Sequence, residues 1–356
     1  MPQSLEQGEI ALHNYNALRY SFVDLSAGEQ HVLTSDPWSF LTSHLQTEVV
    51  GKRGANKQRL ERALYYAQLA EDFYRSAQST QLPAQGTLYY YGMLDLVKSF
   101  LSCRGADLET TFEHHGMVLP LGKKLTVEAK PPMRDAYNVF SSFCAALGKP
   151  VTSPTEIDFR SALSHIPEIH GIYVSLGHIK KRKLLPIKIE FQVNKSMDFL
   201  FTELIYEKEQ EAKVDTSRFL KGKRLAYFKD GFPRDKKIVV RAKRRKSYNP
   251  QNIDRIYNNI LKEFRDFDIV PILTANGYRY YVDLRPGAIP QLAYSLLGMF
   301  YLGSAARYRP LEMRSLLEGN LRPLVSEFVS LTPRQFLYQM VSLTTNRECV
   351  IPFSAV

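Results

Sequence analysis

In the stretch DFRSALSHIP, residues 158–167, Arg160 and His165 stand with four residues between them. A guanidinium can hold a phosphate oxygen and an imidazole can move a proton near neutral pH. Residues of these two types at this spacing make the stretch a candidate site for phosphate chemistry. The surrounding residues limit that chemistry. Thr155 and Asp158 can cap a short helix, and Pro167 pushes Ile166 out of helical geometry, so the helix should end near Ser164 or His165. Five residues turn about 500° along a helix, which separates the two side chains by roughly 140° unless the terminus unwinds. On the alternative reading, Arg160 is a solvated helix charge and His165 meets the carbonyls at the helix end.

A second chemistry is written in charge. The chain carries a net +11, and Lys221 to Lys246 holds twelve Lys or Arg against two Asp, a net +10, so the remainder is nearly neutral. A shorter run, Lys180-Lys181-Arg182-Lys183, lies upstream. Such a cluster is an electrostatic footprint for a polyanion. Its cations Lys221, Lys223, Arg224, Arg241, Lys243, Arg244, Arg245 and Lys246 are interleaved with aromatic residues that include Tyr227 and Phe228. This is the mixture expected where phosphates pair with cations and bases stack on rings. An acidic protein partner, or an edge strand whose charges deter aggregation, is the alternative.

The elements that must position these residues fall into three stretches. Asp36-Pro37 marks a helix start. From Asn56, Leu60, Leu64, Ala67, Ala70, Phe73 and Ala77 share a face, and TLYYYGMLDLVKSFLSCRG is apolar nearly all round with Gly105 as its stop. Residues 106–135 read as loop, and MRDAYNVFSSFCAALG as another helix. The period then changes to two: LPIKIEFQV, KRLAYF and KIVVRA read as strands. A helix over 252–267 follows, then a hairpin whose Asn276-Gly277 suits the two positive-φ positions of a type I′ turn. Helices near 288–306, 311–330 and 333–345 close the chain. The expected fold class is mainly α: a helical core built from both ends, with residues 1–180 and 285–356 packed together around a small basic α+β insert at 181–284. The helices at 56–77, 87–103 and 288–306 should share one core.

LYYYGMLDLVKSFL, followed by HHG at 114–116 and RYRP at 307–310, resembles the YaaC-like family of bacterial proteins over most of residues 36–345. The Arg160–His165 spacing resembles the signature of HEPN-type ribonucleases, although Ser161 stands where such sites carry Asn, Asp or His. The resemblance implies a cytoplasmic protein with a helical, HEPN-like body, in a family some of whose members sit among phage-defence genes. Residues carried over from the matching blocks are Lys98, His115, Arg307 and Arg309. If their helices adjoin, the four could line an anion or phosphate pocket; otherwise they form internal salt bridges with carboxylates such as Asp95 and Glu312.

Several classes lack support. Cys103, Cys144 and Cys349 have no paired spacing for a zinc site or disulfide framework. No phosphate-binding glycine loop, dinucleotide fingerprint, zinc-protease or nucleophile-elbow motif occurs. The N-terminus lacks a signal-peptide pattern, and the uncharged run 288–306 reads as a buried helix rather than a membrane span. No cofactor or metal is expected. The expected partner is RNA or DNA, with no membrane and a possible protein partner from the same operon. Three functions stay open: a nucleic-acid-binding protein of a defence or stress system, a metal-independent ribonuclease, and a non-catalytic scaffold subunit.

Overall fold

A computed structural model describes residues 8–13, 16–24, 31–109, 112–179, 182–194, 198–214, 227–228, 231–265 and 267–352. The chain divides into two compact units, Met1–Gln30 with Ile179–Pro286, and His31–His178 with Gly287–Val356.

The first unit corrects the mainly α expectation. It is organised by an eight-stranded sheet in which every pairing is antiparallel. Its centre is a hairpin of Leu184–Asn194 and Phe199–Glu207. The second of these strands is buried along all but its last residue. Its sequence, FLFTELIYE, therefore lacks the alternation that marks a strand with one wet face. One strand edge continues through Lys237–Arg241 to Phe232–Arg234, and the other through Gly277–Asp283 to Ile269–Thr274. The helix Ile253–Arg265 covers one face, where Ile253, Tyr257, Ile260 and Phe264 form a core with Leu185, Phe191, Leu200 and Val240. The chain's beginning joins this unit: Glu9–Ile10 pairs with Val193 and Gln192, and the Tyr257 hydroxyl takes Ser21 N at 2.7 Å while donating to Arg19 O.

The hairpin at 269–283 forms, but with a different turn. Thr274 pairs with Gly277, so Ala275 and Asn276 are the turn residues, and of these positions only Gly277 has a positive φ, +86°. A type I′ turn needs two positive-φ residues; a turn followed by a left-handed glycine, as in a bulged hairpin, needs one. The KRLAYF strand expectation falls mostly outside the described residues, with Phe228 bridging to Ala242.

In the second unit Ala84–Cys103 is the central helix. It lies against Gly54–Gln78, Gln291–Tyr308 and Arg322–Thr345, so the three helices expected to share a core do so. Asp36 caps Pro37–Val49 by accepting from Trp38 N and Ser39 N. Gly105, at φ +95°, ends the central helix, and Ala106 N returns to Leu101 O. The face of Gly54–Gln78 turned inward is rotated from the expected one: Ala63, Tyr66, Ala67, Ala70, Tyr74 and Ala77 are buried, while Leu60, Leu64 and Phe73 are half-buried. Small residues are inward because the central helix comes close: a methyl group on Gly92 would lie 2.6 Å from the Tyr74 ring. Gln291–Tyr308 is buried continuously from Leu292 to Ala305, and no helix of the described residues is long and apolar enough to cross a membrane. Pro333 does not break the last segment. Arg322–Thr345 runs through it as one helix after Pro310–Glu318, because Phe328, Val329, Phe336 and Leu337 are buried on either side. The 106–135 stretch is also more ordered than expected. Met117–Val118 and Thr126–Ala129 form a three-stranded sheet with Thr155–Asp158.

Candidate functional sites

In the helical unit the sequence blocks meet through one close helix crossing. A methyl group on Gly303 would lie 3.0 Å from Thr87 Cα, and one on Gly86 would lie 3.1 Å from Leu302 Cβ, so any larger residue would force the two helices slightly apart. The Gly303 carbonyl accepts both the Thr87 hydroxyl at 3.3 Å and Arg307 Nε at 3.0 Å. One helical turn further along each helix lie Tyr91 and Arg307, and Arg307 Nη1 donates to the Tyr91 hydroxyl at 2.7 Å. The guanidinium also lies 5.4 Å from the Tyr91 ring and 5.0 Å from the Tyr308 ring.

His115 joins from the loop after Glu113–His114. Its Nδ1 is 2.8 Å from the Tyr90 hydroxyl, and Gly116 follows at φ +85° with no room for a side chain beside Asn138. Burial holds the His115 imidazole below its ordinary pKa, with the charges of Lys98, His114 and Arg307 acting the same way and Glu113 opposing. Lys98 is already paired: its Nζ is 2.7 Å from Glu113 Oε2 and 5.0 Å from the Tyr66 ring. Tyr66 in turn donates to Glu109 at 2.6 Å. Asp95 is pushed up to about 7 by burial, Lys98 pulling it down and Glu113 pushing it further up.

Arg309 does not join this group. It donates to Lys123 O and Pro120 O at 2.7 and 2.6 Å and meets Glu312 at 3.5 Å; Glu312 also accepts from Tyr301 and Leu125 N. These bonds pin the 120–125 loop. Lys98 is thus paired with Glu113 and Arg309 bound to carbonyls, while Arg307 and His115 are linked through the adjacent Tyr91 and Tyr90 rings. Glu113 directly precedes the HHG block, and that adjacency was the one sign of it in the sequence.

Arg160 and His165 have different surroundings. Asp158 caps Phe159–Leu163 by accepting from Ser161 N, and Ser164 ends it. Arg160 is exposed, and its charge acts on Tyr173. The His165 ring instead stacks on Tyr294 at 4.4 Å and 12°, in space left by Gly287, where a methyl group would lie 2.9 Å from His165 Cε1.

In the sheet unit the basic run divides by role. Arg241 and Arg234 engage the buried Glu203, and Arg241 lies over Phe201 and Phe232. Arg244 and Lys246 share Glu263 at 3.5 and 2.8 Å. Lys243, Arg244 and Arg245 are exposed in the connection between Lys237–Arg241 and Lys246–Ser247. Arg244 lies 5.2 Å from the Tyr227 ring and Arg245 lies 4.3 Å from Phe199. Phe228 is 3% exposed and meets the Phe264 and Phe267 rings, so of the two expected stacking residues Phe228 is a core residue, while Tyr227 is half-buried. Lys221, Lys223 and Arg224 lie outside the described residues. Linear charge counting missed Glu203 and Glu263, which strand pairing and a helix bring to the basic run from other parts of the sequence.

Among the described residues no group of His, Cys, Asp and Glu could hold a metal ion. No curated protein and no solved structure matches the chain. The YaaC-like Protein family model matches residues 30–344, a span that contains the LYYYGMLDLVKSFL, HHG and RYRP blocks. The chain belongs to the YaaC-like family.

Proposed function

We propose that this YaaC-like protein binds nucleic acid through the turn at Lys243, Arg244 and Arg245. The observation that carries the reading is the run of three exposed cations, two of them lying over aromatic rings, with Lys243 N bonded to Tyr227 O at 2.6 Å; Arg244 keeps 61% of its side chain exposed beside its 3.5 Å contact with Glu263. Cations fixed at the end of a strand pair engage a phosphate backbone with less loss of side-chain freedom than cations on a loose tail. The setting we infer is the cytoplasm of a bacterium, in a defence or stress system; that part rests on the family resemblance. The test is fluorescence anisotropy with labelled single- and double-stranded RNA and DNA over a salt series. Binding that weakens steeply with salt and is lost when the three residues are changed to Gln supports the reading. Wild-type protein that binds neither polymer at low salt overturns it.

A further inference from the structure

The helical unit carries a cation site separate in sequence and surroundings from the basic turn. Arg307 is exposed, yet its guanidinium is fixed by two hydrogen bonds, Nε to Gly303 O and Nη1 to the Tyr91 hydroxyl. It is flanked by two rings, Tyr91 and Tyr308, and Tyr91 is itself stacked on Phe73 at 5.6 Å and 27°. Among the described residues no carboxylate is paired with Arg307, whereas Lys98, Arg309, Arg241 and Arg244 each have one. A fork held this rigidly has already lost the freedom that binding would otherwise remove, and Nη2 and the second hydrogen of Nη1 remain to donate. Tyr308 is 72% exposed, so a ring face stands open beside the fork. His115 lies within reach of the same field through Tyr90, and Tyr90 and Tyr91 lie ring to ring at 5.3 Å.

We infer that Arg307 and Tyr308 form a site for a nucleoside monophosphate, the phosphate held by the Arg307 fork and the base stacked on the Tyr308 ring. A planar fork suits phosphate oxygens in pairs, and the exposed Tyr308 ring beside it can receive a planar π system. A carboxylate ligand would use the fork but have no use for Tyr308. Bound phosphate would also add negative charge near His115, where the neighbouring Lys98, His114 and Arg307 now disfavour the imidazolium.

The test uses the full chain with two probes, adenosine 5′-monophosphate and ribose 5-phosphate, followed by calorimetry and by NMR titration of the His115 ring. Adenosine monophosphate should bind more tightly than ribose 5-phosphate and raise the His115 titration midpoint. Arg307→Lys, which keeps the charge and loses the fork, should weaken both probes by about tenfold or more. Tyr308→Ala removes an exposed ring, leaves the fold intact, and should weaken only the nucleotide. The variant lacking the Lys243, Arg244 and Arg245 charges should bind the nucleotide as the wild type does, which separates this site from the basic turn. No binding of either probe, equal affinity for the two, or unchanged affinity in Arg307→Lys overturns the assignment.

Discussion

Arg241 sets two nitrogens on one oxygen of Glu203, Nε at 2.9 Å and Nη2 at 2.7 Å, across directly paired positions of adjacent strands. Arg234 reaches the other carboxylate oxygen at 3.2 Å from the next strand. Glu203 is 1% exposed and the Arg241 side chain 12%, so this is an internal ion group in the middle of what reads in sequence as a polyanion-binding run. Arg241→Ala leaves a buried carboxylate short of its main partner and should lower the unfolding free energy by about 3–5 kcal/mol. Arg234, far more exposed, should cost no more than about 1 kcal/mol when changed to Ala. Urea denaturation of the two variants checks the order; equal small losses would show that Arg241 is not the residue that compensates Glu203.

The exposed turn should behave differently. Changing Lys243, Arg244 and Arg245 together to Gln should leave stability nearly unchanged, because surface charges of this kind contribute little to folding. Nucleic-acid affinity should fall, and the dependence of log K on log salt should flatten by up to about one unit for each phosphate no longer neutralised. Tyr227→Ala removes the ring under Arg244 and is the variant to use for stacking. Phe228→Ala is not: it opens the core and should cost about 3–5 kcal/mol of stability. Anisotropy and thermal melts on the same samples separate the two effects.

Asp95 gives the helical unit a pH dependence of defined sign. Burial raises its folded pKa to about 7 from 3.8, so between those values the unfolded chain loses this proton and the folded one keeps it. Its contribution is therefore fully present below pH 3.8, declines as pH rises, and is lost above about 7. Asp95→Asn cannot ionise and should gain stability relative to wild type at pH 8, by roughly a few kcal/mol, with a much smaller gain at pH 5. Denaturation midpoints of both proteins at the two pH values test this; an equal difference at each would assign the burial cost elsewhere.

For Arg160 and His165 the expected result is an absence of metal-independent RNA cleavage by purified protein. His165→Ala removes a ring stacked on Tyr294 and should lower stability by about 0.5–1.5 kcal/mol. Arg160→Ala, at an exposed position, should change it by less than about 0.5 kcal/mol. A gel assay of chelator-treated protein decides the matter. Cleavage that disappears in both variants would establish the pair as catalytic.

The positions of most helices were legible because each carries its own local signal. Asp36-Pro37 begins one, Gly105 ends another, and the apolar circumference of LYYYGMLDLVKSFL marks the helix at the centre. The strand Phe199–Glu207 was not legible, since burial on both faces removes the alternation that would identify it. The hairpin turn was half legible: Gly277 supplies the positive φ, but only pairing of Thr274 with Gly277 shows which residues make the turn.

By itself the sequence determined where charge is concentrated, which helices need neighbours on every side, and which family blocks the chain contains. These follow from composition and period, and neither depends on what lies opposite. The tertiary structure decided which charges are available. Strand pairing brought Glu203 to Arg241, and the helix Ile253–Arg265 brought Glu263 to Arg244 and Lys246. The Glu113–His114 strand brought a carboxylate to Lys98, while a glycine crossing left Arg307 fixed beside an open ring. Coulomb and hydrogen-bond energies act over a few ångströms of space, whereas these partners are separated by many residues of chain, and only the fold converts one distance into the other.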